Sequence, residues 1–122
     1  MPPFARLIPW MVLAFSLAAI ALGLYEWSNP PFSDEQLKAS TADTWEVAAS
    51  TTRVFVVVFF GLGGICVALA RKATDIIMQR ASFAAAAACL VTLMLFVHNH
   101  VELTQRAANL TGQDFGLFYG LL

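Results

Sequence analysis

The chain has 122 residues, 59% of them hydrophobic and only 12% charged, with a net charge of −1; a soluble domain carries roughly 25% charged residues. That balance argues against a water-soluble fold. No basic run exists that could follow a phosphate backbone, so nucleic-acid binding has no electrostatic footprint either.

Three stretches, residues 7–25, 54–70 and 81–97, contain no Asp, Glu, Lys, Arg or His. A hydrocarbon core roughly 30 Å thick needs about 17 to 25 helical residues to cross it. The expected fold is therefore an all-α integral membrane protein, a single membrane domain over residues 1–122 with three transmembrane helices and the lipid bilayer as solvent. The first stretch follows Arg6, and Ala19-Ile20-Ala21 has the form of a signal cleavage site. Trp10, Tyr25 and Trp27 nevertheless stand where the aromatic belts of a retained spanning helix belong. Asn29-Pro30-Pro31 then stops that helix.

A polar connection follows, residues 26–53. Ser33 and Gln36 have capping-box spacing, which predicts a short helix over residues 34–39. A second start signal lies around residues 40–44, so helix two is expected to begin outside the membrane and enter it at Arg53. Glu26, Asp34, Glu35, Asp43 and Glu46 stand against Lys38 in this connection. Such a segment is a solvated loop or, alternatively, a docking surface for a basic soluble partner.

Arg53 and Arg71 are 18 positions apart, as are Arg80 and His98, which is about 27 Å of helix in each case. Joined by residues 71–80, helices two and three are expected to form an antiparallel hairpin matched in depth. Arg71, Lys72 and Arg80 at the tight end outweigh Lys38 and Arg53 at the other, which places residues 71–80 and the amino terminus in the cytoplasm and the carboxyl terminus outside. In lipid, helices associate where small side chains let backbones approach. Gly61, Gly64 and Ala68 form one candidate packing stripe, and Ala81, Ala85, Ala88 and Thr92 its counterpart, leaving Phe55, Phe59 and Phe60 for lipid or another subunit. Cys66 and Cys89 read as small buried residues; counted from Arg71 and Arg80, their depths differ by about 6 Å, which disfavours a disulfide.

Between Arg80 and Gly112 there is neither Gly nor Pro, so helix three is expected to run on past the membrane to a Gly112 cap. Its emerging part carries His98, His100 and Glu102. His98, Glu102, Arg106 and Asn109 share a face, whereas His100 projects toward the Phe96 and Leu103 side. The plain reading is a polar surface beginning where the helix leaves lipid; the sharper one is a metal site using His98, Glu102 and a His100 that serves a neighbouring chain. Asn109-Leu110-Thr111 matches a glycosylation acceptor. The tail, residues 115–122, is apolar yet too short to span a bilayer, and is expected to dock on the outer membrane surface or on another subunit.

Ion-coupled transport needs ionisable groups within the membrane, and these spans offer only Ser16, Cys66, Ser82, Cys89 and Thr92. No histidine lies at mid-depth to hold a haem, and no catalytic triad or phosphate loop is present. The expectation is a small non-catalytic subunit of a larger membrane complex, with other membrane subunits as partners. The alternatives are a self-assembling pore or channel and, third, a metal or redox-cofactor protein built on the outer His/Glu cluster.

Overall fold

A computed structural model describes residues 3–29, 33, 35, 39 and 42–111; for residues 42–49, 107, 108, 110 and 111 only the backbone is considered. The described chain is helical in three long elements: α1 (Pro3–Ser28), α2 (Ala42–Lys72) and α3 (Ile76–Thr111). All three contain segments long and apolar enough to cross a membrane, over Pro3–Ser28, Ser50–Lys72 and Ile76–Arg106. A helix satisfies its backbone polar groups within itself, which is the condition lipid imposes on a single crossing segment.

Local chemistry sets the helix ends. α1 starts at Pro3, a residue whose missing N–H costs nothing in the first turn. It ends at Ser28, after which Asn29 turns both its backbone N–H (2.8 Å) and its side-chain amide (3.3 Å) onto the carbonyl of Tyr25. α2 begins at Ala42, inside the expected start region. The connection between α2 and α3 is shorter than the expected turn over residues 71–80, because α3 already begins at Ile76. Asp75 makes that early start possible: its Oδ1 accepts the N–H of Ile77 at 3.0 Å, an N-cap that satisfies one orphan donor of the first turn. The expected short helix over residues 34–39, the Gly112 cap and the apolar tail lie wholly or largely outside the described residues.

α3 is the central helix. α1 and α2 each pack along it and touch one another only slightly; the rings of Phe15 and Phe59 stack between them at 5.4 Å. α1 turns Ala5, Pro9, Val12, Ser16 and Gly23 inward, a series in steps of three, four and seven that marks one helix face. α2 turns in Phe59, Cys66 and Ala70. α3 buries Ala81, Ala85, Ala88, Cys89, Thr92 and Leu95, residues distributed over two sides because it has a neighbour on each. Val12, Phe59, Cys66, Ala85 and Cys89 form the core cluster that joins the three helices.

That arrangement corrects two expectations about α2. Gly61, Gly64 and Ala68 are exposed, and a Cβ placed on Gly61 or Gly64 would meet nothing within 4 Å. The glycine that faces α3 is Gly63, whose Cβ would lie 3.4 Å from that of Cys89. Phe59, expected to face lipid or another subunit, is 1% exposed, while Phe60 is 75% exposed. One residue along a helix is a rotation of about 100°, so Gly63 and not Gly64 meets α3, and Phe59 and not Phe60 is buried. The physical reason is that Phe59 fills the gap between α1 and α3, where both Phe15 and Phe96 meet its ring.

Candidate functional site

The polar side chains of the spans converge inside the helix packing. Ser16 Oγ and Cys89 Sγ lie 3.3 Å apart between α1 and α3. The Thr92 hydroxyl donates to the carbonyl of Ala88, one turn back, at 2.8 Å, and reaches the carbonyl of Ser16 across the interface at 3.4 Å. Both cysteines are free and buried. Polar atoms held this way in an apolar surrounding fasten one helix to another, because hydrocarbon offers no other partner. Ser82 is also fully buried, and its Oγ has no hydrogen-bond partner among the described residues.

Toward the end remote from the α2–α3 connection, Gly23 of α1 lies tight against Leu95 of α3. A Cβ there would lie 2.5 Å from Leu95 Cδ2 and 2.8 Å from Leu95 Cγ. Because glycine leaves that space open, Asn99 on α3 can donate its side-chain amide to the carbonyl of Gly23 at 3.0 Å. The other side-chain atom of Asn99, Oδ1, is enclosed without a partner among the described residues. Neither Gly23 nor Asn99 stands out in the sequence as a site residue. The available signal was a lone glycine late in an apolar helix, which suggests close backbone approach only once the partner helix is known.

One turn further on, the Trp27 ring lies over the ring of His98, centroids 4.5 Å apart and planes tilted by 50°. His98 Nε2 is 3.2 Å from Glu102 Oε1, with both side chains about half exposed. This is the pair the sequence placed on one face. His100 is not part of it: two residues along the helix is a rotation of about 200°, and His100 is 4% exposed. It lies one turn beyond Phe96, whose ring stacks on Phe55 and Phe59 of α2, so it belongs to the α2 side of α3. Among the described residues no three His, Cys, Asp or Glu side chains come together to hold a metal. His98 and Glu102 alone supply two ligands, short of the three or four that a zinc site needs. His98 and Glu102 share one face and His100 lies on another, as the helical register implies, and at 4% exposure His100 is enclosed within this chain and not presented to a neighbouring one.

The acidic connection, residues 26–53, has few described side chains and contributes no geometry to a docking surface. Glu102 faces His98, and Arg106 also has an interaction partner.

On the outward side of α2 and α3, Phe60, Gly64, Val67, Phe83, Ala87 and Leu90 border a shallow groove of about 450 Å³ with an almost wholly apolar lining. At the opposite end of the molecule from His98, Arg6, Trp10, Lys72 and Asp75 border a smaller cleft of about 280 Å³ where the three helices meet. Compared with protein-family profiles, with curated proteins and with solved structures, the chain matches none.

Proposed function

We propose that this chain is a small non-catalytic integral subunit of a larger membrane assembly, supplying a helical surface on which other membrane chains dock. The observation that carries this reading is the direction of its polar groups: Ser16, Cys89 and Thr92 turn inward and bind helix to helix. The outward surface of the spans, from Val57 and Phe60 to Phe83 and Met94, is apolar. A surface of that kind supports contact with lipid and with apolar helices of partners; it provides no group to move a proton or bind an ion.

In the proposed arrangement α2 and α3 form an antiparallel transmembrane hairpin. Arg6 and Lys72 border one cleft, which is consistent with the start of α1 and the α2–α3 connection lying on the same side. With Arg71, Lys72 and Arg80 there, that side is the cytoplasm. At 36 residues, α3 is about 54 Å long, so its last turns project beyond a hydrocarbon core of about 30 Å on the outer side. Trp27 and His98 then stand at the outer interface, where amphipathic rings are favoured.

The test is purification in a mild detergent, with size measurement and mass spectrometry of whatever chains accompany the protein. Other integral chains in a fixed ratio are expected. A species containing only this chain in several copies would replace the proposal with a self-assembling pore, and a monodisperse single copy would remove both readings.

A further inference from the structure

The cleft at the α2–α3 connection draws its lining from all three helices: Arg6 and Trp10 from α1, Lys72 from the end of α2, Thr74 and Asp75 from the connection, and Ile77 from the first turn of α3. Arg6 and Lys72 are 66 positions apart in sequence, so the fold and not local composition brings the two cations to one place. Among the described residues neither has an ion-pair partner. The one carboxylate present, that of Asp75, is engaged at the start of α3, where its Oδ1 accepts the Ile77 N–H. Two cations against one carboxylate leave the cleft with one net positive charge.

From this geometry we infer that the cleft is a binding site for the phosphodiester headgroup of an anionic membrane lipid. A phosphodiester carries a single negative charge, matching the charge of the cleft. Arginine and lysine together supply a planar fork and a point charge to its oxygens, and the Thr74 hydroxyl adds a neutral donor. Trp10 lies one helical turn from Arg6, on the same face of α1, and is half exposed. An indole in that position belongs at the level of the headgroups, with its body toward the acyl chains. Ile77 is exposed beside it and continues the apolar wall. A soluble phosphate would use the cations alone; a lipid uses both cations and wall. The inference rests on this end of the bundle lying at a membrane surface, and not on which side of the membrane it faces or on the subunit proposal.

The experiment is native mass spectrometry of the full chain in detergent micelles, titrated with an equimolar mixture of phosphatidylglycerol and phosphatidylcholine. Preference for phosphatidylglycerol is expected in the wild type. A charge-assisted hydrogen bond to the phosphodiester contributes about tenfold or more, so the double variant R6Q/K72Q should lower the preference by about a hundredfold. R71Q/R80Q removes the same charge from the same end without touching the cleft lining, so it forfeits only the general attraction of about fivefold per basic side chain near the surface and should lower the preference by about thirtyfold at most; R6K/K72R should retain most of it. Equal loss in the two glutamine variants, or no preference in the wild type, would overturn the site. Displacement of the lipid by millimolar inorganic phosphate or glycerol phosphate would overturn the lipid assignment in favour of a soluble phosphate ligand.

Discussion

Replacing Gly23 by alanine should loosen the packing of α1 against α3. The added carbon would lie 2.5 Å from Leu95 Cδ2 and 2.8 Å from Leu95 Cγ, against about 3.5 Å or more for an unstrained carbon contact. Relief therefore requires about 1 Å of movement. Leu95 is buried on α3, so its side chain cannot simply swing into open space. Either it leaves its rotamer or α1 lifts away from α3, which would also stretch the bond from Asn99 to the Gly23 carbonyl. Overpacking of this kind costs about 1–3 kcal/mol, to which a weakened interhelical hydrogen bond adds about 0.6 kcal/mol. Gly64→Ala is the matched control. Its methyl would meet nothing within 4 Å, and the better helix propensity of alanine should shift stability by at most about 1 kcal/mol, in the favourable direction. The assay is reversible unfolding in mixed micelles of increasing SDS fraction, followed by far-UV circular dichroism. A double-mutant cycle with Leu95→Ala sharpens it, because shortening Leu95 vacates the space the new methyl needs. The pair should cost at least about 1 kcal/mol less than the sum of the two single changes. Strict additivity, or equal stability of Gly23→Ala and Gly64→Ala, would refute the close approach of α1 and α3 at this point.

At adjacent positions on α2, Gly63→Leu should separate α2 from α3 and lower stability in the same assay, since Gly63 faces Cys89. Gly64→Leu should leave the fold intact and weaken only the recovery of partner chains, so reversal of that order would place the wrong glycine at the intramolecular interface. Thr92→Val keeps the shape of the side chain while removing its bonds to Ala88 and Ser16. A loss of about 0.6 kcal/mol is expected, and a loss above about 2 kcal/mol would mean that this hydroxyl belongs to a larger polar network. For topology, a cysteine placed at Ala73 should resist an impermeant thiol reagent in intact cells while one at Ser40 reacts. The native Cys66 and Cys89 are buried and should stay silent; labelling at 73 and not at 40 would invert the proposed orientation.

Composition and helix length by themselves determined that three segments are able to cross a membrane, and approximately where each lies. The reason is that lipid sets those two quantities without reference to any neighbour: the chain needs about 20 apolar residues and an internally satisfied backbone. The continuity of α3 through positions 98–102 was also legible, from the absence of Gly and Pro between Arg80 and Gly112. That continuity parts His98 from His100, a consequence of helical geometry that needs no partner helix.

The choice of buried face was left to the tertiary structure. In water, polar residues mark the outside of a helix, whereas in lipid the outside is as apolar as the inside, so the usual amphipathic signal is absent. Gly61, Gly64 and Ala68 were as plausible a contact stripe as Phe59, Gly63, Cys66 and Ala70, and only the position of α1 against α3, with Phe59 wedged between them, decided for the second. The central place of α3 arose in the same way. Its many alanines allow close approach on two sides, but nothing in one helix records how many neighbours will use it. The bond from Asn99 to Gly23 and the cleft that Arg6 shares with Lys72 likewise bring together residues more than sixty positions apart, because packing, and not chain order, sets which residues become neighbours.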